Sequence, residues 1–303
     1  MTKTKNDTPT QTQFKSLSQS KIEKLPNGNV EITITIPWNI IADWYQTTLK
    51  KLSPKAKIKG FRPGKAPEKL VEKQIGKTKI YQEMIKTLAT DVYLDAVKTH
   101  KLLPIVNPKL NLVSSDENKD WILKAITAEI PQFEIANYQE KIKKALAPEK
   151  IWIPGKDKDL GKKKEENKEK KLKLVFDILL GTVKLKIPQL LIEDELNRML
   201  SRLIEQTSKL GLTVEQYLAS VGKNSQQLRE EYQKQAEESI KLELILAKIA
   251  NQEKIQIEEG EIDKMIKAIG DEKLQKTLET PSQRAYIQQI LRKRKVLDIL
   301  TNL

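Results

Sequence analysis

The residues of this 303-residue chain that could do chemistry are concentrated in one stretch, Lys50 to Pro67. Its octet Gly60-Phe61-Arg62-Pro63-Gly64-Lys65-Ala66-Pro67 sets an aromatic ring and cations among glycines and prolines, which are typical of tight turns. A turn that holds Phe61 outward lets the ring enter an apolar or base-stacking niche while the cations meet phosphate. Seven basic residues and no acidic residue lie between positions 50 and 65: Lys50, Lys51, Lys55, Lys57, Lys59, Arg62 and Lys65.

Two interpretations of this loop remain open from the residues alone. In the first, the loop docks on a ribonucleoprotein surface. In the second, it is a linker whose charges are simply solvated and whose Phe61 folds back on its own domain. The two differ in one observable property, which is whether the ring is exposed.

Catalytic chemistry has few candidate residues. The chain has no cysteine and a single histidine, His100, so thiol nucleophiles, cysteine-based zinc sites and Ser-His-Asp catalysis are nearly all excluded. His100 stands at the end of a predicted helix, where a structural role is typical. No Walker-type phosphate loop occurs, so ATP is not implied. We therefore expect no catalytic residue, no metal and no cofactor.

Strands and helices on both sides of the loop predict a small α+β domain over residues 27–130. Val30 to Ile36 alternates apolar and polar residues as a half-buried strand does, and Trp38 to Leu52 has helical spacing. Two helices and then two strands follow the loop, with strands kept apart from the helical pair. Their predicted ranges are Glu68 to Ile75, Lys77 to His100, Leu103 to Val113 and Trp121 to Ile130.

The remainder divides into a connecting segment, residues 131–171, and a helical domain, residues 172–303. Within the connection, Pro148 to Lys171 is rich in Pro, Gly, Lys, Asp and Glu, which predicts a hinge or solvated arm. Apolar residues at helical spacing then predict an almost entirely α-helical region. The predicted helices begin at Leu172 and continue as Pro188 to Lys209, Thr213 to Gly222, Ser225 to Asn251, Glu258 to Ile269 and Ser282 to Leu300.

The net charge and the N-terminal residues indicate the kind of partner and the cellular compartment. The 55 Lys and Arg outnumber the 41 Asp and Glu, for a net charge of +14, which favours an anionic partner surface. Residues 1–26 are polar and are predicted to be a disordered tail without the apolar core of a signal peptide. No stretch has the length of a membrane span. These features predict a cytoplasmic protein with no membrane partner.

The octet Gly60 to Pro67 resembles the ribosome-binding signature of bacterial trigger factor, a chaperone family, and it lies between the same elements. The resemblance implies that Gly60, Phe61, Arg62, Pro63, Gly64, Lys65 and Pro67 dock on the large ribosomal subunit, at a tunnel-exit protein and rRNA. Many family members have Lys where this chain has Pro63. The segment Phe133 to Tyr138 resembles the exit from the N-domain, and residues 172–303 resemble the extended, SurA-like helical body of the family.

One part of the family pattern is missing. Trigger factors usually carry an FKBP-like prolyl isomerase domain between these regions, whereas Pro148 to Lys171 is far shorter than the roughly 50 residues of a domain. Trp152 is its only aromatic residue, too few for an aromatic-lined pocket. We therefore expect that this protein is not an enzyme, even though members of the family are usually described as prolyl isomerases.

The resemblance implies a ribosome-associated chaperone that shields nascent polypeptides and assists protein folding and transport. An RNA-binding or ribosome-assembly factor without chaperone activity is the alternative. A periplasmic chaperone of the SurA type is a weaker rival, because the chain shows no signal peptide and carries the basic loop. A weak homodimer away from the ribosome stays open, as do the clients and the residues that line any cradle for them.

Overall fold

The computed structural model describes residues 18–56, 58, 60–62, 64–147 and 162–303. Internal contacts divide the chain into two compact units. The first contains the described residues up to Ile130 together with Pro188–Leu190, and the second contains the rest. An α+β unit followed by a mostly helical unit confirms the predicted fold class.

The first unit is built on a four-stranded antiparallel sheet whose strand order is β1-β2-β4-β3. Its central strands alternate buried and half-buried residues, as the period-2 sequence pattern predicts. In their register Ile34 lies opposite Leu123 and Ile32 opposite Ala125. The strands are β1 (Gln19–Lys24), β2 (Val30–Ile36), β3 (Lys109–Ser114) and β4 (Trp121–Thr127).

Three helices complete the first unit and share its core with the sheet. The core includes fully buried helical residues such as Ile41, Ile80 and Met84. Buried apolar side chains of this kind each contribute roughly 1.5–3 kcal/mol to folding. The helices are α1 (Trp38–Leu52), α2 (Glu68–Ile75) and α3 (Lys77–Thr99), and a short 3-10 turn, Ser53–Lys55, follows α1.

Two sequence-based expectations for this unit are wrong in part. The predicted disordered tail, residues 1–26, contains β1, which pairs with β2 along its whole length; residues 1–17 lie outside the described part of the chain. The strand predicted over Leu103 to Val113 is shorter and begins at Lys109, because Pro104 and Pro108 interrupt regular pairing. Only an isolated bridge between Pro104 and Glu129 pairs the earlier part.

The turn between β1 and β2 receives a segment from far along the chain. Gly28 has φ +84°, and a Cβ added to it would lie 3.2 Å from Cα of Pro188. The buried side chain of Asn29 accepts a 3.0 Å hydrogen bond from the backbone N–H of Leu190. The segment 188–190 is thereby part of the first unit, although the sequence assigned it to the helical domain.

The second unit is formed by eight helices among the described residues. Its largest core cluster joins α4, α5, α8 and α11 through residues such as Ile142, Leu179, Ile249 and Leu300. Smaller apolar clusters lie between α6, α7 and α8 and between α9 and α11. The helices are α4 (Tyr138–Leu146), α5 (Lys162–Thr182), α6 (Gln189–Lys209), α7 (Val214–Ser220), α8 (Ser225–Gln252), α9 (Glu259–Lys267), α10 (Glu272–Leu278) and α11 (Pro281–Thr301).

Two differences from the sequence analysis concern this unit. The predicted hinge, Pro148 to Lys171, is helical from Lys162 onward, because its Lys and Glu residues are good helix formers that continue directly into the apolar part of α5. Residues 148–161 lie outside the described part. The helix α10, capped by the side chain of Asp271, was not predicted. No helix among the described residues is long and apolar enough to cross a membrane.

Candidate docking site

The basic loop connects α1 to α2 and is anchored to the first unit on both sides of its tip. Ala56 and Ile58 before the tip, and Ala66 after it, are half-buried and pack against the core of the unit. Pro67 then occupies the N-cap position of α2. Apolar side chains thus hold both ends of the loop, while the described residues of its tip, 60–62, 64 and 65, are exposed.

Two backbone hydrogen bonds shape the tip. The N–H of Phe61 donates to the carbonyl of Ile58 at 3.2 Å, and the N–H of Lys65 donates to that of Arg62 at 3.0 Å. Gly60 and Gly64 have φ angles of +86° and +78°, which residues with a Cβ rarely adopt. The two glycines are therefore required by the path of the backbone, as the turn chemistry of the octet predicts.

The ring of Phe61 is exposed. Its relative accessibility is 43%, which places it outside the core of its own unit. Arg62 and Lys65 are also exposed, and neither forms an ion pair with any described residue. Phe61 is thus not part of the core cluster of its unit, which favours the docking interpretation over the one in which Phe61 folds back. Pro63, Lys57 and Lys59 lie outside the described part of the chain.

A polar contact fixes the helix that follows the loop. The hydroxyl of Tyr45 in α1 donates a 2.7 Å hydrogen bond to Oε1 of Glu72 in α2. Burial raises the pKa of Tyr45 above its usual value, and the neighbouring Glu72 carboxylate raises the pKa further. The ring centroid of Tyr45 lies 4.8 Å from that of Tyr81, whose ring lies 5.5 Å from Trp121. Sequence analysis missed the hydrogen-bonded pair because its partners are 27 positions apart.

His100 has the structural role that was predicted. It occupies the C-cap position of α3, and its Nε2 lies 2.8 Å from the hydroxyl of Ser20 in β1. The contact ties an edge strand to the end of a helix. Among the described residues, no group of three His, Cys, Asp or Glu side chains could hold a metal ion.

Further exposed apolar side chains fall into two groups along the chain, one in each unit. In the first unit they follow the edge of the sheet formed by β3 and its flanking segments. In the second they surround the turns next to α7. The edge set is Leu103, Ile105, Leu110, Val113 and Ile130, and the turn set is Ile204, Leu210, Leu212 and Val221.

Fold and site together define a protein of two units, in which the α+β unit carries an exposed loop with cations and an aromatic ring. The described residues include no recognisable catalytic centre. Comparison with known families then identifies the family. Residues 18–166 match the family described as bacterial trigger factor protein, and residues 158–302 match the C-terminus of the same family. The chain belongs to the bacterial trigger factor family.

Individual relatives support this assignment. The trigger factor of Caldanaerobacter subterraneus is 28% identical over 156 residues, which cover 52% of this chain and 35% of that protein. The trigger factor of Carboxydothermus hydrogenoformans is 33% identical over 116 residues, or 38% of this chain and 27% of the relative. The chain thus spans about a third of the length of these curated relatives.

A solved trigger factor chaperone structure has the same fold. It superposes with a TM-score of 0.65 over 93% of this chain and 99% of the other, at 14% sequence identity. It was described in work on promiscuous substrate recognition in folding and assembly. At this identity the likeness concerns the fold.

Proposed function

We propose that the protein is a ribosome-associated chaperone that docks near the polypeptide tunnel exit and shields nascent chains. The observation that carries the proposal is the exposed ring of Phe61 beside Arg62 and Lys65, which form no ion pair with the described residues, on an anchored loop. A ring held out among cations suits a surface made of protein and RNA. The proposed partner is the large subunit, through a tunnel-exit protein and rRNA, in the cytoplasm.

Tethering explains how a protein without an ATP motif helps folding. Once the loop is docked, the local concentration of the helical unit around an emerging chain rises, so that weak apolar contacts suffice. Those contacts are available on the exposed turn set of the second unit, which includes Leu210 at 75% exposure, and on the sheet edge of the first. The nascent polypeptide is the proposed second partner.

Ribosome pelleting tests the docking step. Replacement of Phe61, Arg62 and Lys65 by alanine should abolish co-sedimentation with ribosomes while leaving the circular dichroism spectrum unchanged. A matched control replaces Lys273, Leu274 and Lys276 of α10, which are also one exposed apolar residue and two exposed cations. The control should pellet as wild type does. Wild-type pelleting of the loop variant would contradict the proposal.

A second assay separates the chaperone from the RNA-binding alternative. The proposed chaperone should suppress aggregation of a chemically denatured test protein, and it should crosslink to a stalled nascent chain. An RNA-binding or assembly factor that uses the same loop would bind naked rRNA tightly and leave aggregation unchanged. The loop variant should still suppress aggregation in solution, because it retains the helical unit.

We further propose that the protein lacks prolyl isomerase activity. The two family matches overlap over residues 158–166, which leaves no interval between them for another domain. Only fourteen residues, 148–161, separate the described end of the α4 region from the start of α5. A protease-coupled isomerisation assay should give the uncatalysed rate, and turnover above that rate would contradict this expectation.

A further inference from the structure

The sheet of the first unit has two edges, β1 and β3, and they differ in the side chains that they expose. Charged side chains, lysine above all, protect a sheet edge against pairing with another strand. The exposed residues of β1 are all polar or charged: Gln19, Lys21, Glu23 and Lys24. In β3 only Lys109 is charged, and Leu110 and Val113 are apolar residues that are 40% and 53% exposed. The β3 edge therefore carries less of this protection than the β1 edge does.

The backbone of β3 is paired on one side only within the described part of the chain. An antiparallel strand directs its N–H and C=O groups alternately toward its neighbour and away from it, and β4 satisfies those that face it. Outside β3 and β4, no described residue forms a hydrogen bond with the backbone of residues 110–114. Outward donors and acceptors are therefore available there at the spacing of a strand.

The side chains of β3 determine what an added strand would contact. Leu110 lies opposite Ala125, and Leu112 lies opposite Leu123. Both partners in β4 are buried, so the two leucines belong to the core face of the sheet. Leu112 packs against the core, whereas Leu110 stays partly exposed at the edge. A strand beside β3 with apolar residues at alternate positions would cover Leu110 and extend the core.

Two features limit the open edge to a short stretch. Pro108 precedes β3 and has no N–H to donate, and a bulge shifts the register between Leu112 and Ser114. Regular pairing is therefore confined to residues 109–112. An unfolded segment can follow the bend that the bulge imposes, whereas a second copy of the chain would bring an edge that has the same fixed bend. The shape of the edge thus favours an unfolded chain as its occupant.

We propose that β3 binds an extended, apolar segment of an unfolded polypeptide as an additional strand of the sheet. The inference rests on the proposed chaperone function and specifies how a client is held, namely by backbone hydrogen bonds that do not depend on one client sequence. An extended polypeptide presents alternating donors and acceptors at about 3.3 Å per residue, and neither RNA nor lipid offers such a series. The short edge predicts weak binding, which is sufficient when the loop holds the protein beside an emerging chain.

The test uses the full-length protein and two synthetic peptides. The first is a short peptide that alternates valine and threonine between terminal lysines. The second has the same sequence with N-methyl groups on two successive central residues, which removes a donor from each edge of the peptide and keeps every side chain. Hydrogen–deuterium exchange is followed while each peptide is titrated, so that the affinity is obtained from the protection of β3 itself.

We expect the unmodified peptide to slow exchange within residues 109–114 and to leave exchange in β1 unchanged. The N-methylated peptide should protect β3 with an affinity about tenfold lower, because a methyl group replaces a hydrogen-bond donor on whichever edge faces the strand. Equal protection of β3 by the two peptides would show that side chains alone hold the peptide, and it would overturn the proposal.

A matched pair of variants tests the same edge from the side of the protein. Leu110→Lys gives β3 the kind of charge that protects β1, and it should weaken binding of the unmodified peptide. Leu94→Lys on α3 is the control, since Leu94 is an exposed leucine of the same unit at 46% exposure, and it should bind as wild type does. Urea denaturation establishes that both variants are folded. An equal loss of affinity in both variants would contradict strand addition.

The remaining outcomes separate this inference from the proposed function. Protection of the helical unit without protection of β3 would reject the edge and leave the chaperone function in place. Protection of β3 by the protein's own concentration, without peptide, would assign the edge to a second copy and overturn the proposal. If β3 binds the peptide as expected but the protein does not suppress aggregation of a denatured test protein, the chaperone function fails and strand addition stands.

Discussion

The hydroxyl of Tyr45 in α1 donates a 2.7 Å hydrogen bond to Oε1 of Glu72 in α2. This contact joins the two helices that the basic loop connects. Tyr45 is buried and Glu72 is exposed to a greater degree, so the bond lies at the boundary of the core. Because α2 begins immediately after the loop, its position determines where the loop ends. The pair is therefore a positioning contact for Phe61 and its neighbouring cations.

Replacement of Tyr45 by phenylalanine removes this bond while keeping the ring. We expect the free energy of unfolding to fall by about 1–2 kcal/mol, because the Glu72 carboxylate loses a charged hydrogen bond. Ribosome affinity should fall as well, since α2 is held less firmly. Tyr93→Phe is the control, because its hydroxyl contacts Thr127 in β4 instead of α2. Urea denaturation and ribosome pelleting should show lower stability in both variants and weaker pelleting only in Tyr45→Phe.

The raised pKa of Tyr45 predicts a change of stability at alkaline pH. A group whose pKa is higher in the folded state stabilises the fold fully below its unfolded pKa, which is about 10 for tyrosine. That contribution is lost as the pH rises toward the folded pKa. The difference in unfolding free energy between wild type and Tyr45→Phe should therefore narrow above pH 10, as measured by urea denaturation at several pH values. A constant difference would show that the phenol ionises equally in both states.

The backbone at Gly60 gives a test of the loop geometry. Apart from its chain neighbours, no described residue has an atom within 4 Å of a Cβ at this position, so the positive φ is the obstacle to substitution that the described residues present. Gly60→Ala should cost about 1–2 kcal/mol locally, which shifts the loop out of its docking conformation and weakens ribosome binding. Asparagine tolerates positive φ better, so Gly60→Asn should retain more affinity than Gly60→Ala. Equal affinities would show that this turn does not govern docking.

Asn29 offers a test of the contact between the β1–β2 turn and residues 188–190. Its side chain accepts a hydrogen bond from the N–H of Leu190, which is itself buried. Asn29→Ala leaves that donor without a partner, and we expect a decrease of about 1–3 kcal/mol in unfolding free energy. Asn27→Ala is the comparison: it removes the 3.2 Å side-chain acceptor of the Asn29 N–H, but it keeps the backbone carbonyl that accepts from Gln189 and the Asn29 side chain that accepts from Leu190. Thermal unfolding should show a clear decrease for Asn29→Ala and a smaller one for Asn27→Ala.

Local sequence determined most of the elements and the location of the candidate site. The alternation of Val30 to Ile36 predicted β2, and its even positions are the buried ones. The helices α6, α8 and α11 end within two residues of their predicted limits, because apolar spacing and capping residues act over a few neighbouring positions. The glycines and prolines of the octet likewise predicted an irregular turn between two helices.

Tertiary structure decided what depends on partners distant along the chain. The strand β1 has no clear apolar alternation and is a strand because it pairs with β2. Leu190 joins the first unit through Asn29, 161 positions earlier, and the Tyr45 to Glu72 bond has no local signal either. The exposure of Phe61 belongs to the same class, because accessibility is set by everything that packs around the loop. The periodicity of the sequence shows which side of a helix or strand is apolar. Which residues cover that side, and whether a ring such as that of Phe61 stays exposed, is decided only when distant parts of the chain pack together.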